Sequence, residues 1–202
     1  ILSKGEIHAL VGERGTGKNV FVDVLSGFYK DDMTGNVYFK EELVNNKLTT
    51  RKPSSIMFLL SESLLADSLT VAENIYTMRD QKNIFKYIRK SKIVNSTKEA
   101  FKEMNVFVNP KRLVRNLDNE EKKLVELAKI YMYNPKVLVM YEPTIQMSPP
   151  TRSYFYEFLK KMKERGISII YATSLWEEAV RTADKISVLY DGSVVGTMEA
   201  EG

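Results

Sequence analysis

The stretch Gly12-Glu-Arg-Gly-Thr-Gly17-Lys18 decides how this chain is interpreted. It follows Glu6-Ile-His-Ala-Leu-Val11, an apolar run that predicts a buried strand. It precedes Asn19-Val-Phe-Val-Asp-Val-Leu25, where apolar residues recur at helical spacing until the stop at Gly27. A glycine-rich turn between a strand and a helix lets backbone N–H groups close on phosphate oxygens. The stretch therefore predicts a phosphate-binding loop.

The individual positions of this loop indicate how phosphate would be held. Gly15 and Gly17 carry no side chain that would keep the amides away from an oxyanion, and Lys18 adds a positive charge to that of the helix N-terminus. The next residue in such loops is Ser or Thr, whose hydroxyl binds Mg²⁺, but here it is Asn19. Its amide oxygen is one atom further out, so we expect only a weak Mg²⁺ ligand. The predicted binding residues are Gly12, Glu13, Arg14, Gly15, Thr16, Gly17, Lys18, Asn19 and Val20.

The order of the other predicted elements indicates an α/β fold. Strands are predicted at 36–40, 55–60, 137–141, 168–172, 185–189 and 193–195, and helices at 71–79, 98–104, 120–132, 154–164 and 176–182. Strands that alternate with helices imply a parallel sheet. From 63 to 132 the pattern is almost wholly helical, which predicts a core of residues 1–62 and 133–202 with a helical subdomain at 63–132.

Composition limits the class of protein. The 202 residues are 44% hydrophobic and 28% charged, which suits one globular domain with a subdomain. The chain lacks a run of roughly 20 apolar residues and a leader for export, and the absence of cysteine suits a reducing compartment.

Residues 79–115 contain 11 Lys/Arg against 3 Asp/Glu. This segment is interpreted as solvated helix faces, with a surface for anionic lipid or an acidic partner as the alternative.

Five stretches together resemble the ATP-binding cassette (ABC) domains of sugar importers. They are Lys4–Lys18, Leu69-Thr-Val-Ala-Glu-Asn-Ile75, Val125-Glu-Leu-Ala-Lys129, Val137-Leu-Val-Met-Tyr-Glu-Pro-Thr144 and Ala183–Gly192. The resemblance implies a P-loop NTPase (RecA-like) core with a mostly parallel sheet and an inserted ABC α-helical subdomain. It also implies that the N-terminal strands of the cassette are missing from this fragment. ATP is the implied ligand. The implied partners are a membrane permease and a second ABC ATPase domain, in the same chain or in a separate subunit.

The same resemblance implies which functional residues are kept. The catalytic Glu of the Walker B motif is kept as Glu142, but the preceding carboxylate falls at Tyr141. The Q-loop Gln falls at Ser61, the switch His at Ser174 and the D-loop Asp at Ser148.

The signature motif departs furthest from the family pattern. It reads Leu117-Asp118-Asn119-Glu120-Glu121, where Asp118 and Glu120 replace Ser and Gly. These acids predict repulsion of a partner's ATP. Asp118 and Glu121 also have the spacing of a capping box, so they could serve only to start a helix.

The resemblance thus implies a nucleotide-binding and structural partner in sugar transport, on the cytoplasmic face of the membrane, with weak or lost hydrolysis and doubtful Mg²⁺ binding. One alternative is a competent ATPase in which Glu142 and Lys18 suffice and Asn19 or Glu62 substitutes at the metal. The second is a soluble ABC-fold protein that acts on nucleic acid. We expect no nucleic acid partner, because the basic segment matches no RNA- or DNA-binding pattern.

Overall fold

The computed structural model describes residues 1–28, 34–39, 41–43, 55–76 and 90–200. Within these ranges no helix combines the length and the apolar character needed to cross a bilayer. The strands are β1 (Ile7–Val11), β2 (Tyr38–Phe39), β3 (Glu42–Leu43), β4 (Ile56–Leu59), β5 (Val137–Tyr141), β6 (Ser168–Thr173), β7 (Lys185–Tyr190) and β8 (Ser193–Glu199). The helices are α1 (Lys18–Ser26), α2 (Val71–Tyr76), α3 (Lys90–Glu103), α4 (Asn119–Tyr133), α5 (Pro149–Glu164) and α6 (Trp176–Thr182).

The main sheet has six strands in the order β4-β5-β6-β1-β7-β8. All neighbours in it are parallel except β7 and β8, which form an antiparallel hairpin. The predicted α/β fold with a mostly parallel sheet is therefore confirmed. Register places Val11 beside Thr173 and Tyr141 beside Ala172, so the carboxyl ends of β1, β5 and β6 meet at one edge. Ligand sites of parallel sheets lie at that edge.

The chain divides into two compact units. The first comprises residues 1–60, 135–143 and 159–202 and contains the main sheet. Alternation along β1 sends Leu10 to one face of the sheet and Ala9 and Val11 to the other. Leu10 packs with Val22, Val139, Ala172 and Leu189, whereas Ala9 and Val11 pack with Ala179 and Ile186. The burial of β1 on both faces explains its continuous apolar sequence.

The second unit comprises residues 61–134 and 144–158. The sequence predicts residues 144–158 as part of the core, whereas in the structure they group with the helical segment. The prediction of an almost wholly helical insert is wrong for the described residues 63–70 and 104–118, where one short 3₁₀ turn at Val114–Asn116 is the helical element. Polar side chains satisfy this irregular backbone. The Asn74 amide accepts from Ala66 N at 2.7 Å and donates to Ala66 O at 2.9 Å. Such local bonds compete with helix formation.

Several predictions fall partly on residues outside the described ranges. Lys40, residues 77–79 and residues 79–89 of the basic segment are among them. Of the basic residues that are described, Lys92, Lys98 and Lys102 are exposed on α3.

His8 on β1 links three strands of the main sheet. Its Nε2 lies 2.8 Å from Ser187 Oγ, which in turn lies 2.7 Å from Thr197 Oγ1. Burial lowers the pKa of His8, and the Glu6 carboxylate, 3.6 Å from Nδ1, only partly opposes that effect. The folded protein therefore favours the neutral imidazole.

We expect this histidine to make the folded state sensitive to mild acid. Because the folded pKa lies below the unfolded value of about 6.5, the contribution is complete above that pH and is lost as pH falls below it. Urea unfolding at pH 7.5 and 5.5 should show a larger loss of unfolding free energy for the wild type than for His8→Asn. Equal losses in the two proteins would contradict the assignment.

Candidate phosphate-binding site

The loop between β1 and α1 has the backbone shape that its glycines permit. Gly15 and Gly17 have φ angles of 87° and 96°, in the left-handed region that favours glycine. A Cβ on Gly12 would lie 2.4 Å from the carbonyl oxygen of Leu189, so this position is closed to side chains. Gly192 N donates to Thr16 O at 3.1 Å. The loop is therefore supported by the β7–β8 hairpin.

The amides at the top of this loop are available to a ligand. A Cβ on Gly15 would meet no atom within 4 Å. Among the described residues, the amides of Gly15, Gly17, Lys18 and Asn19 donate no hydrogen bond to the protein. These amides stand at the N-terminus of the nine-residue helix α1. Free N–H groups and the helix dipole together form an anion cradle.

Lys18 is turned into the loop rather than toward solvent, and its side chain is only 3% exposed. The ammonium donates to Gly12 O at 2.5 Å and to Glu13 O at 2.7 Å, and it lies 3.7 Å from Glu142 Oε1. Burial lowers the pKa of Lys18, while the Glu142 carboxylate acts to raise it. The ammonium thus donates to two backbone carbonyls, and its charge lies beside the Glu142 carboxylate.

Glu142 lies directly after β5, and its side chain is only 5% exposed. Its backbone is left-handed, with φ of 44°, and its amide donates to Ala172 O at 2.9 Å. Carboxylate atom Oε2 accepts from Ser174 N at 3.1 Å and from Ser174 Oγ at 3.2 Å. Oε1 is buried, has no hydrogen bond from any described residue and faces Lys18. The structure thus brings together three predicted site residues: Lys18, Glu142 and Ser174.

The described residues at the expected metal position do not fit the donors that Mg²⁺ prefers. Tyr141 is half-buried, and burial, followed by the charges of Glu142 and Asp23, raises the pKa of its phenol. The phenol is therefore neutral at physiological pH. Asn19, which follows Lys18, is exposed and offers an amide oxygen. The described part of the chain contains no cluster of three or more acidic or histidine residues that could hold a metal. Mg²⁺ needs octahedral oxygen ligands, usually including carboxylates. Ser61, the residue that the resemblance places at the Q-loop Gln, belongs to the second unit.

The acids of the signature segment start helix α4. Asp118 is its N-cap, and a capping box is present: Glu121 N donates to Asp118 Oδ1 at 2.7 Å, and Asp118 N donates to Glu121 Oε2 at 3.1 Å. Glu121 Oε1 also pairs with Arg112 Nη1 at 2.5 Å. The capping role expected from the sequence is therefore confirmed.

Glu120 binds a second helix terminus, a contact that sequence reasoning missed. Its carboxylate accepts from Ser148 N at 2.8 Å, from Ser148 Oγ at 2.9 Å and from Thr151 Oγ1 at 2.5 Å. These hydrogen bonds, with that from Thr151 the largest cause, lower the pKa of Glu120. The carboxylate therefore binds residues at the start of α5. Glu120 and Ser148 both fall at positions where the resemblance implies a different residue, and this shared feature is the sequence signal that could have indicated the contact.

Comparison with known protein families gives a consistent result. A family model described as "ABC transporter" matches residues 1–145. A ribose import ATP-binding protein of Burkholderia ambifaria is 33% identical in an alignment of 202 positions that covers 98% of this chain and 39% of that protein. A ribose/galactose/methyl galactoside import ATP-binding protein of Hahella chejuensis is 32% identical over 96% of this chain and 38% of its own length. The chain thus spans about two fifths of these relatives.

Solved structures share the fold. A bacterial ABC transporter cassette solved as a dimer superposes with a TM-score of 0.83 at 22% identity, covering 100% of this chain and 88% of that one. A nucleotide-free ATP-binding cassette from an ABC transporter gives a TM-score of 0.82 at 21% identity, covering 99% and 83%.

Proposed function

Because this chain belongs to the ABC transporter family, we propose that it is a nucleotide-binding domain of a sugar-type importer that holds ATP on its phosphate loop. The observation that carries the proposal is the open row of amides around Gly15 and Gly17 at the N-terminus of α1. The names of the relatives support sugar import as the process that it serves.

The proposal includes weak or absent hydrolysis. The phenol of Tyr141 and the amide of Asn19 are poor Mg²⁺ ligands, and Ser174 offers a hydroxyl where the resemblance implies an imidazole. If Mg²⁺ is bound, the Asn19 oxygen would contact it, and the ion would neutralise phosphate charge. The domain would then act mainly as a nucleotide-binding and structural partner of a second ABC ATPase domain and a membrane permease, at the cytoplasmic face of the membrane.

ATP binding to the purified protein, measured by calorimetry with EDTA and then with Mg²⁺, tests this function. We expect ATP to bind in EDTA, with little gain from Mg²⁺, because amides and a lysine hold the phosphates. Lys18→Ala should weaken binding by about tenfold or more, since it removes a charge-assisted contact. Lys98→Ala, which removes an exposed lysine on α3, is the matched control and should bind as the wild type does.

Two results would count against the proposal. One is ATP affinity that is equal in the wild type and in Lys18→Ala. The other is tight, strongly salt-dependent binding of oligonucleotides without binding of ATP, which would favour the nucleic acid alternative.

A further inference from the structure

We propose that Ser174 is a positioning residue that holds the Glu142 carboxylate against Lys18, so that any phosphate ligand of the loop has to displace a resident carboxylate. This inference rests on the proposed function and deepens it, because it defines which phosphate compounds the loop selects.

The backbone around each residue fixes the contact between Glu142 and Ser174. Glu142 follows β5 and Ser174 follows β6, and these neighbouring parallel strands are in register up to the pair Tyr141 and Ala172. The Glu142 amide bonds to Ala172 O, and the Thr173 hydroxyl accepts from Leu175 N at 3.1 Å, which orders the turn that carries Ser174. The two donors of Ser174 then hold Oε2, and Oε1 is left facing the Lys18 ammonium.

The Lys18–Glu142 pair is buried, and each charge depends on the other. With side chains 3% and 5% exposed, neither group is well hydrated. Among the described residues Oε1 has no hydrogen-bond donor, so the ammonium at 3.7 Å is what compensates its charge. Removing one partner of a buried ion pair leaves an uncompensated charge, which is strongly unfavourable. A ligand that separates Lys18 from Glu142 therefore binds with this unfavourable free energy included.

The free energy needed to separate Lys18 from Glu142 affects single phosphate ions more than phosphate chains. A single phosphate ion gains Lys18 and a few amides but places its own charge beside the freed carboxylate. A phosphate chain also occupies the remaining amides from Gly15 to Asn19, so it gains more hydrogen bonds for the same displacement. Displacement of the carboxylate therefore favours a phosphate chain over a single phosphate ion. The expected order of affinity is triphosphate, then pyrophosphate, then inorganic phosphate.

Calorimetric titration of the full chain with pyrophosphate and with inorganic phosphate, both in EDTA, tests the displacement. Glu142→Gln should raise pyrophosphate affinity by about tenfold or more, because it removes the competing charge and keeps the shape. Ser174→Ala should raise it by about fivefold, since one hydrogen bond to Oε2 is lost. Ser174→Thr keeps the hydroxyl and should bind as the wild type does.

Acetylation of Lys18, followed by mass spectrometry, gives a measurement that needs no ligand. Lys18 in the wild type should react far more slowly than the exposed Lys98, and Glu142→Gln and Ser174→Ala should both raise its rate while Ser174→Thr does not. A purely structural role of Ser174 would change thermal unfolding without changing this rate. Equal rates and equal pyrophosphate affinities in all variants would overturn the proposal.

The two measurements separate this inference from the proposed function. If Lys18 reactivity changes as expected but neither pyrophosphate nor ATP binds any variant, the positioning role stands and the nucleotide function is wrong. If every variant binds ATP equally and Lys18 reactivity is constant, the nucleotide function stands and the positioning role is wrong.

Discussion

ATP turnover should rise by at least about 10²-fold when Tyr141→Asp, Asn19→Ser and Ser174→His are introduced together, because electrostatic and metal contacts in a transition state are each commonly worth about that factor. The gain should require a partner cassette with an intact signature segment, since this chain's own signature positions carry acids. Phosphate release by the full-length protein with its partner, at saturating ATP and Mg²⁺, measures it.

The same assay decides between a degraded and a competent ATPase. Glu142→Gln in the restored protein is the control and should return turnover to background. If the unmodified protein already matches an ordinary cassette and loses its activity in Glu142→Gln, the prediction of weak hydrolysis is wrong, and the competent-ATPase alternative is favoured.

Neutralising the signature acids should strengthen ATP-dependent association with a competent cassette by about tenfold or more, because like charges about 4 Å apart repel by several kcal/mol at an effective dielectric near 20. Asp118→Asn, Glu120→Gln and Glu121→Gln keep oxygen acceptors for the helix caps, so this triple variant changes charge more than it changes capping. Analytical ultracentrifugation with ATP at low and physiological salt measures the effect. The gain should shrink with salt where the acids remain hydrated.

A matched control removes three acids elsewhere. Glu99→Gln, Glu157→Gln and Glu164→Gln change the same charge at exposed helix positions and should leave association unaltered. The variant Asp118→Ser, Glu120→Gly and Glu121→Gln removes the charges and also disrupts the capping hydrogen bonds. A drop in its melting temperature would measure how much those hydrogen bonds stabilise the protein. Unchanged or weaker association in both signature variants would show that the acids serve only as caps.

Local sequence signals were sufficient to predict features that lie within a single strand, helix or turn. The apolar run before Gly12 and the helical spacing after Lys18 predicted β1 and α1 within a residue or two. The dipeptide Asp191-Gly192 between β7 and β8 is a sequence typical of a two-residue hairpin turn, and in the structure both residues adopt the positive φ that such a turn requires. The spacing of Asp118 and Glu121 likewise predicted the capping box.

Contacts between distant parts of the chain could not be predicted in this way. Sequence motifs marked Lys18, Glu142 and Ser174 as site residues, but not that Ser174 holds the carboxylate on the lysine, since that depends on the register of β5 and β6. The contact of Glu120 with Ser148 depends in the same way on tertiary packing. The irregular segment near Ala66 could not be predicted from apolar spacing, because its backbone depends on hydrogen bonds with the buried Asn74.

The support of the phosphate loop by the β7–β8 hairpin also constrains the order of events during synthesis. Residues 12–19 are synthesised well before Leu189 and Gly192, which close against Gly12 and Thr16. At about 5–20 residues per second, the interval between them is on the order of ten seconds or more. The nascent chain therefore carries its phosphate loop without this support until the β7–β8 hairpin has been made. A ligand that needs the supported loop can assist folding only after that hairpin has emerged.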